Sequence, residues 1–228
     1  MPVLLLTRSL NFPDVSQADE DGLLAVGGDL SLERLKLAYS KGIFPWFNDD
    51  SPILWWSPDP RMVLFPEKLK VSQSLRQVFR KGSFKVTLDH AFAEVIHNCA
   101  ATPRKDEDGT WITSEMQQAY IKLHEAGLAH SVEAWQDGKL VGGLYGVALG
   151  KVFCGESMFH HLANASKVAF CYLVEKLIDW DFEIIDSQVH TDHLESLGAE
   201  LIPRSQYLEI LERAIAREDI KGSWRQRE

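Results

Sequence analysis

The chain has few cysteines: Cys99, Cys154 and Cys171 are odd in number and show no C-x-x-C spacing. That pattern excludes a disulfide framework and a thiolate zinc site, and it is the usage of a reduced, cytoplasmic protein. Long apolar runs are also missing. Val3 to Leu6 is the unbroken apolar run at the start, against the roughly 7 to 15 residues of a signal-peptide core. Nothing approaches the roughly 20 apolar residues that span a bilayer, so no membrane partner is expected. Positive charge is scarce, since 24 Lys and Arg stand against 33 Asp and Glu for a net charge of −9. This works against broad nucleic-acid binding, because phosphate contacts need clustered cations. Any RNA contact must therefore be local. No G-x-x-x-x-G-K-[ST] phosphate loop is present; the glycines of VGGLYGVALG lie in a strand pattern and mark close approach of backbone or ligand. Neither His160-His161 nor His190 with His193 has the spacing of a zinc-hydrolase helix, so no metal is expected.

What is there suffices for a real core: 228 residues, 45% hydrophobic and 10% aromatic. The first sixty residues are punctuated by Gly27-Gly28, Pro45, Pro52, Pro58 and Pro60 around one helix, Leu32 to Lys41, which reads as a small irregular N-terminal domain, residues 1–61. A second domain, 62–228, opens with a helix from Ser72 to Lys81 that stops at Gly82, followed by the strand KVTLD. Phe92, Val95, Ile96 and Cys99 then fall on one helix face, and a helix capped by Thr113 turns Met116, Tyr120 and Leu123 inward. AHSVEAW and KLVGGLYGVAL flank Asp137-Gly138, a hairpin signature, and VFCGESMF supplies a third strand. Asn164 opens a helix to Trp180, FEIIDSQV reads as a buried strand, and two helices surround AELIP. This order predicts an α+β fold with a mainly antiparallel sheet flanked by helices.

Two constellations stand out on residue grounds. Lys68, Lys70, Arg76, Arg80, Lys81 and Lys85 follow one another with no acid between Glu67 and Asp89, and Arg76 and Arg80 share a helix face. They read as a patch for an RNA backbone or as a solvated helix surface. Asp186 and Gln188 lie two apart on FEIIDSQV, which predicts one sheet face for both and the opposite face for Ser187. They are a reactive pair, or a strand-end carboxylate and a helix cap.

GLLAVGGDL, GIFPWF and WWSPDPR, continued by TWIT, VGGLYGVALG, GESMF and Asp186-Ser187-Gln188, resemble the bacterial leucyl/phenylalanyl-tRNA–protein transferase family from about Gly22 to Arg204. The resemblance implies a GNAT-like (acyl-CoA N-acyltransferase-like) catalytic domain. It implies transfer of Leu or Phe, with Met a further donor, from aminoacyl-tRNA to proteins beginning with Arg or Lys, without a cofactor and as a monomer. Such products are marked for the N-end rule route. It assigns catalysis to Asp186 and Gln188, acceptor binding to Glu156, and stacking on the tRNA's terminal adenosine to Trp46 and Trp111, with Trp55 and Trp56 left to packing. The aminoacyl side chain would sit among Leu144, Phe170, Leu173, Leu177 and Ile185, and Arg76, Arg80 and Lys81 would face the tRNA backbone. Leu144, Leu173 and Leu177 are leucines where a relative carries Met or Phe, which bears on the preference among donors. Two other functions stay open. An acyl-CoA-dependent N-acyltransferase would need a Q/R-x-x-G-x-G/A loop where this chain has HLANASK; a non-catalytic RNA-binding adaptor would not need Asp186 or Gln188.

Overall fold

Short hydroxyl side chains set the helix starts. The side chains of Ser31, Ser72 and Thr113 accept from the N–H of Arg34, Leu75 and Met116, each satisfying a donor that the first helical turn leaves open. The computed structural model describes residues 4–102 and 110–227. Its first part contains strands β1 (Leu4–Leu6) and β2 (Leu23–Gly27), helix α1 (Leu32–Ser40), and strands β3 (Phe44–Pro45) and β4 (Leu54–Trp56), with sheet order β1-β2-β4-β3. These strands were not expected from the sequence, since none exceeds five residues and turns interrupt their alternation.

The rest of the described chain runs β5 (Arg61–Leu64), α2 (Gln73–Lys81), β6 (Lys85–Leu88), α3 (Phe92–Ala101), α4 (Ser114–Glu125), β7 (Ala129–Gln136), β8 (Lys139–Leu149) and β9 (Val152–His160). It continues through α5 (Ala165–Asp179), β10 (Ile184–Gln188), α6 (Asp192–Ser196), β11 (Glu200–Ile202) and α7 (Arg204–Ile215). The second sheet has the order β11-β5-β10-β9-β8-β7-β6. Its β9–β10 pair is parallel and its other described pairs are antiparallel, which gives the expected α+β arrangement with a mainly antiparallel sheet flanked by helices. β5 was read as a boundary and is a strand, seated between β10 and β11. The hairpin turn follows its residues: Asp137 and Gly138 both have positive φ, 52° and 73°, as the twist of paired strands requires.

Alternate residues of this sheet feed two cores. Val63, Tyr145, Cys154 and Ile184 face α3, α4, α7 and the N-terminal part; Met62, Leu64, Leu144, Phe153 and Ile185 face α5. Helix α5 buries Leu173, Val174 and Leu177 completely, each burial contributing about 1.5–3 kcal/mol. Its other flank meets Leu75 of α2 through Val168 and Cys171. Close to the chain end, a 3-10 turn over Trp224–Arg227 plugs Trp224 into the α5-side core.

β9 and β10 pair only at Ile184↔Val152, Ile185↔Phe153 and Asp186↔Cys154. Beyond that point a bulge in β9, between the Tyr145↔Ser157 and Gly146↔Gly155 pairs, turns its strand, and Gln188 adopts a φ of 57°. The two strands part, and the sheet opens. A Cβ on Gly146 would lie 2.5 Å from Cζ of Phe153 and collide with the carbonyl oxygen of Cys154. Gly146→Ala is therefore expected to lower stability by roughly 1–3 kcal/mol, read as a reduced urea midpoint; an unchanged midpoint would show that Phe153 has room to move.

Candidate active site

The opening between β9 and β10 is a cavity of about 420 Å³. Leu144, Phe153, Phe170 and Ile185 form its wall on the α5 side, and Met158 of β9 adds to it. Phe44, Trp46 and Trp111 reach it from the side of the N-terminal part. Trp46 is 37% exposed, and its ring lies 5.8 Å from that of Trp56, whose Nε1 donates to the Trp46 carbonyl at 2.7 Å. The Trp46 side chain thus stays partly exposed beside the cavity. Trp55, fully buried, donates to the Gly27 carbonyl and belongs to the core.

Glu156 stands in the bulge of β9, on the cavity wall. Tyr39 of α1 donates to its Oε1 at 2.7 Å and Tyr120 of α4 to its Oε2 at 3.0 Å, while the two hydroxyls also contact each other. Burial pushes the Glu156 carboxyl up to about 7, the two tyrosine hydrogen bonds opposing this and the charge of Asp186 adding to it. Burial, then the Glu156 charge, raises both tyrosines well above the usual phenol range, so they act as donors. At pH 7 the group thus sits between neutral and charged, and an arriving cation would tip it to carboxylate.

Asp186 is buried and lies behind the cavity, not on its wall. Arg61 grips it with Nε at 2.8 Å and Nη2 at 2.7 Å; Tyr207 of α7 donates at 2.8 Å, and the backbone N–H of Gln188 at 3.0 Å. Four donors fill the lone-pair positions of a carboxylate. The Arg61 guanidinium itself lies 4.8 Å from the Phe44 ring and 4.7 Å from the Tyr207 ring. The expectation that Asp186 and Gln188 share one face, with Ser187 opposite, is corrected here. Pairing with β5 slips between Asp186 and Gln188, and the positive φ of Gln188 ends the period of two. Ser187 and Gln188 both line the cavity, with Gln188 Nε2 3.5 Å from Glu156 Oε1. Beside them Cys154 is fully buried, its thiol raised well above its ordinary value by burial and then by the charge of Asp186, which leaves it no thiolate character.

A second correction concerns the apolar pocket. Leu144, Phe170 and Ile185 line the cavity, but Leu173 and Leu177 do not. Helix α5 leaves the cavity after its first turns, and both leucines lie in the core at zero exposure. Phe153 and Met158 take their place. Sequence reasoning missed these two, along with Tyr39, Tyr120, Arg61 and Tyr207, although Arg61 ends the WWSPDPR motif. Thr191 and His193, from the start of α6, also reach the rim. Arg76, Arg80 and Lys81 are exposed on α2, remote in sequence from the cavity, and Arg76 and Arg80 flank a shallow surface depression with Gln73 and Gln77. Among the described residues, His190, Asp192 and Glu195 could come together on a metal, but all three are exposed, and the chemistry of the cavity does not use them. Removing the charge that Arg61 needs should be costly: Asp186→Asn is expected to lose about 3–5 kcal/mol in urea unfolding, and a loss below about 1 kcal/mol would mean that the pair is not what holds β10 to β5.

The family model described as leucyl/phenylalanyl-tRNA protein transferase matches residues 63–212, and the model of that family's N-terminal domain matches residues 28–59. The leucyl/phenylalanyl-tRNA–protein transferase of Anaeromyxobacter sp. (strain Fw109-5) is 54% identical over 224 residues, covering 98% of this chain and 95% of its own. That of Syntrophobacter fumaroxidans (strain DSM 10017 / MPOB) is 59% identical over 211 residues, covering 92% and 90%. Among solved structures, L-PGS from Bacillus licheniformis is similar at a TM-score of 0.42 and 12% identity, over 82% of this chain and 71% of that one. No helix of the described residues is long and apolar enough to cross a membrane. With the family model spanning most of the chain and relatives above half identity along nearly all of it, this protein belongs to the leucyl/phenylalanyl-tRNA–protein transferase family and is a transferase.

Proposed function

We propose that the chain moves leucine, phenylalanine or methionine from the 3′ end of charged tRNA to the α-amino group of proteins beginning with Arg or Lys. This occurs in the cytoplasm, by a monomer, and marks those proteins for the N-end rule route. The observation that carries the reading is the cavity between β9 and β10, where an apolar wall, a partly exposed indole, a carboxyl at the edge of ionisation and a side-chain amide meet. Each matches one part of the two substrates. Leu144, Phe153, Met158, Phe170 and Ile185 take the apolar side chain. Trp46 and Trp111 stack on the terminal adenine, a contact worth about 1–3 kcal/mol that reads no sequence. Glu156 pairs with the doubly cationic acceptor terminus.

Transfer exchanges an ester for an amide, so it needs no ATP. The acceptor nitrogen bonds to the carbonyl carbon and the carbon–oxygen bond to ribose breaks. Of the three protons on the starting ammonium, one stays on the amide nitrogen, one goes to the ribose oxygen and one is released. Gln188 turns its Nε2 toward Glu156, which leaves Oε1 to accept from the incoming amine and aim its lone pair. Asp186 has its oxygens filled by Arg61, Tyr207 and the Gln188 N–H; it positions Gln188 and takes no proton. Arg76, Arg80 and Lys81 supply the tRNA-backbone contact.

Labelled phenylalanine or leucine should pass from charged tRNA to a peptide beginning with Arg or Lys and not to one beginning with Ala; transfer to neither would leave RNA binding as the function. Gln188→Ala should lower kcat by about 10²-fold or more with tRNA affinity kept. For a basic peptide, kcat/KM should rise with pH through about 7 as Glu156 ionises, and again as the acceptor amine loses its proton near 7.7 to 8.0. Glu156→Gln should erase the lower step, and a profile identical to the parent's would remove Glu156 from acceptor binding. Affinity for tRNA should fall steeply between low and physiological salt, and Arg76→Ala and Arg80→Ala should each reduce the salt slope by about 1; a flat dependence would dismiss the patch.

A further inference from the structure

Phe153 is part of the apolar wall, and two residues border its ring. Gly146 offers no Cβ, which leaves the ring the space that any larger residue would fill. Trp224 is fully buried, its ring centroid 5.9 Å from that of Phe153 and the two planes inclined by 37°. Trp224 lies beyond residue 212, where the match to the family model ends. It is locked in place: its backbone N–H donates to Asp89 at 2.6 Å, its ring stacks on His130 at 3.8 Å and 3°, and Trp180 packs edge-on at 4.9 Å. Asp89 reinforces the site by accepting from His130 Nδ1 and from the Ser131 N–H, both at 2.9 Å. So much anchoring serves one indole, and that indole meets a residue of the cavity wall.

We propose that Trp224 is a positioning residue that fixes the depth of the aminoacyl side-chain pocket by holding Phe153 forward, making the C-terminal segment a determinant of which apolar group is transferred. The inference rests on reading the cavity as the aminoacyl site. Without the indole, Phe153 can swing back into the vacated volume, and the deeper pocket then favours the longer aromatic donor over leucine.

The test is competition between equal amounts of differently labelled Leu-tRNA and Phe-tRNA for a peptide beginning with Arg, read as the ratio of the two products. This ratio does not depend on how much of the enzyme is folded, so general destabilisation leaves it unmoved. Trp224→Ala is expected to shift the ratio toward phenylalanine by on the order of tenfold, and Trp224→Phe to stay near the parent. If Trp224→Ala yields no folded protein, Trp224→Leu is read in the same way. Phe153→Leu should shift the ratio in the same direction, and adding Trp224→Ala to it should shift it no further, since both act through one ring. A parental ratio in Trp224→Ala, or in Trp224→Leu where that variant replaces it, or full additivity in the double variant, would overturn the proposal. Transfer of neither group by the parent protein would instead bring down the functional reading itself.

Discussion

The buried ion pair between Arg61 and Asp186 sits where three things have to be decided at once. It joins β5 to β10 one strand in from the β11 edge of the second sheet, it draws in Tyr207 from α7 and Phe44 from the N-terminal part through the guanidinium, and it holds the N–H of Gln188. A buried ion pair is weak as a source of net stability, because desolvation offsets much of the attraction. Its value here is geometric. Two side chains that cannot be left unpaired hold β10 at Asp186, its last residue paired to β9, and the cavity opens beyond that point.

A sheet normally closes on itself through backbone hydrogen bonds, so an opening within it leaves polar groups to be satisfied. A side chain of β10 meets part of that cost. On β10, Asp186 takes the Gln188 N–H that ladder pairing no longer can. On β9, the bulge at Glu156 turns a carboxyl toward Tyr39 and Tyr120, whose hydroxyls arrive from α1 and α4. The partners differ in kind, and so do the results. Asp186 has a cation and becomes scaffold; Glu156 has only neutral donors, and burial pushes it up to about 7, which leaves it responsive to a charge brought from outside.

Most of the elements were legible in the sequence because their signals are local. Ser72, Thr113, Gly82 and the Asp137-Gly138 pair act within a few residues, and the helices and hairpin they bound came out as expected. What escaped were features decided by distant partners. The short strands of the N-terminal part and β5 carry too few residues for a period to show, and are made strands by their neighbours. Alternation placed Asp186 and Gln188 together until a register slip separated them. Leu173 and Leu177 follow Phe170 at helical spacing, yet only the first of the three reaches the cavity, since an opening is narrower than the helix that borders it. The tyrosines of Glu156 lie 117 and 36 residues away from it, beyond any spacing argument.

Helix α5 also bears on how a chain of net charge −9 can engage a polyanion. Phe170 on one of its faces lines the cavity, while Val168 and Cys171 on another pack against Leu75 of α2, the helix that carries Arg76, Arg80 and Lys81 on its exposed side. On the proposed reading, the basic surface and the aminoacyl pocket are thus the two ends of one packed unit. If tRNA binds there, the acid excess of the chain as a whole disfavours contact elsewhere, and the cations of α2 steer the RNA to the side from which α5 lines the cavity. A uniformly basic surface would bind tRNA more tightly but in many orientations. On the proposed reading, a local patch would restrict the 3′ end to approaches that the indole and the apolar wall can complete.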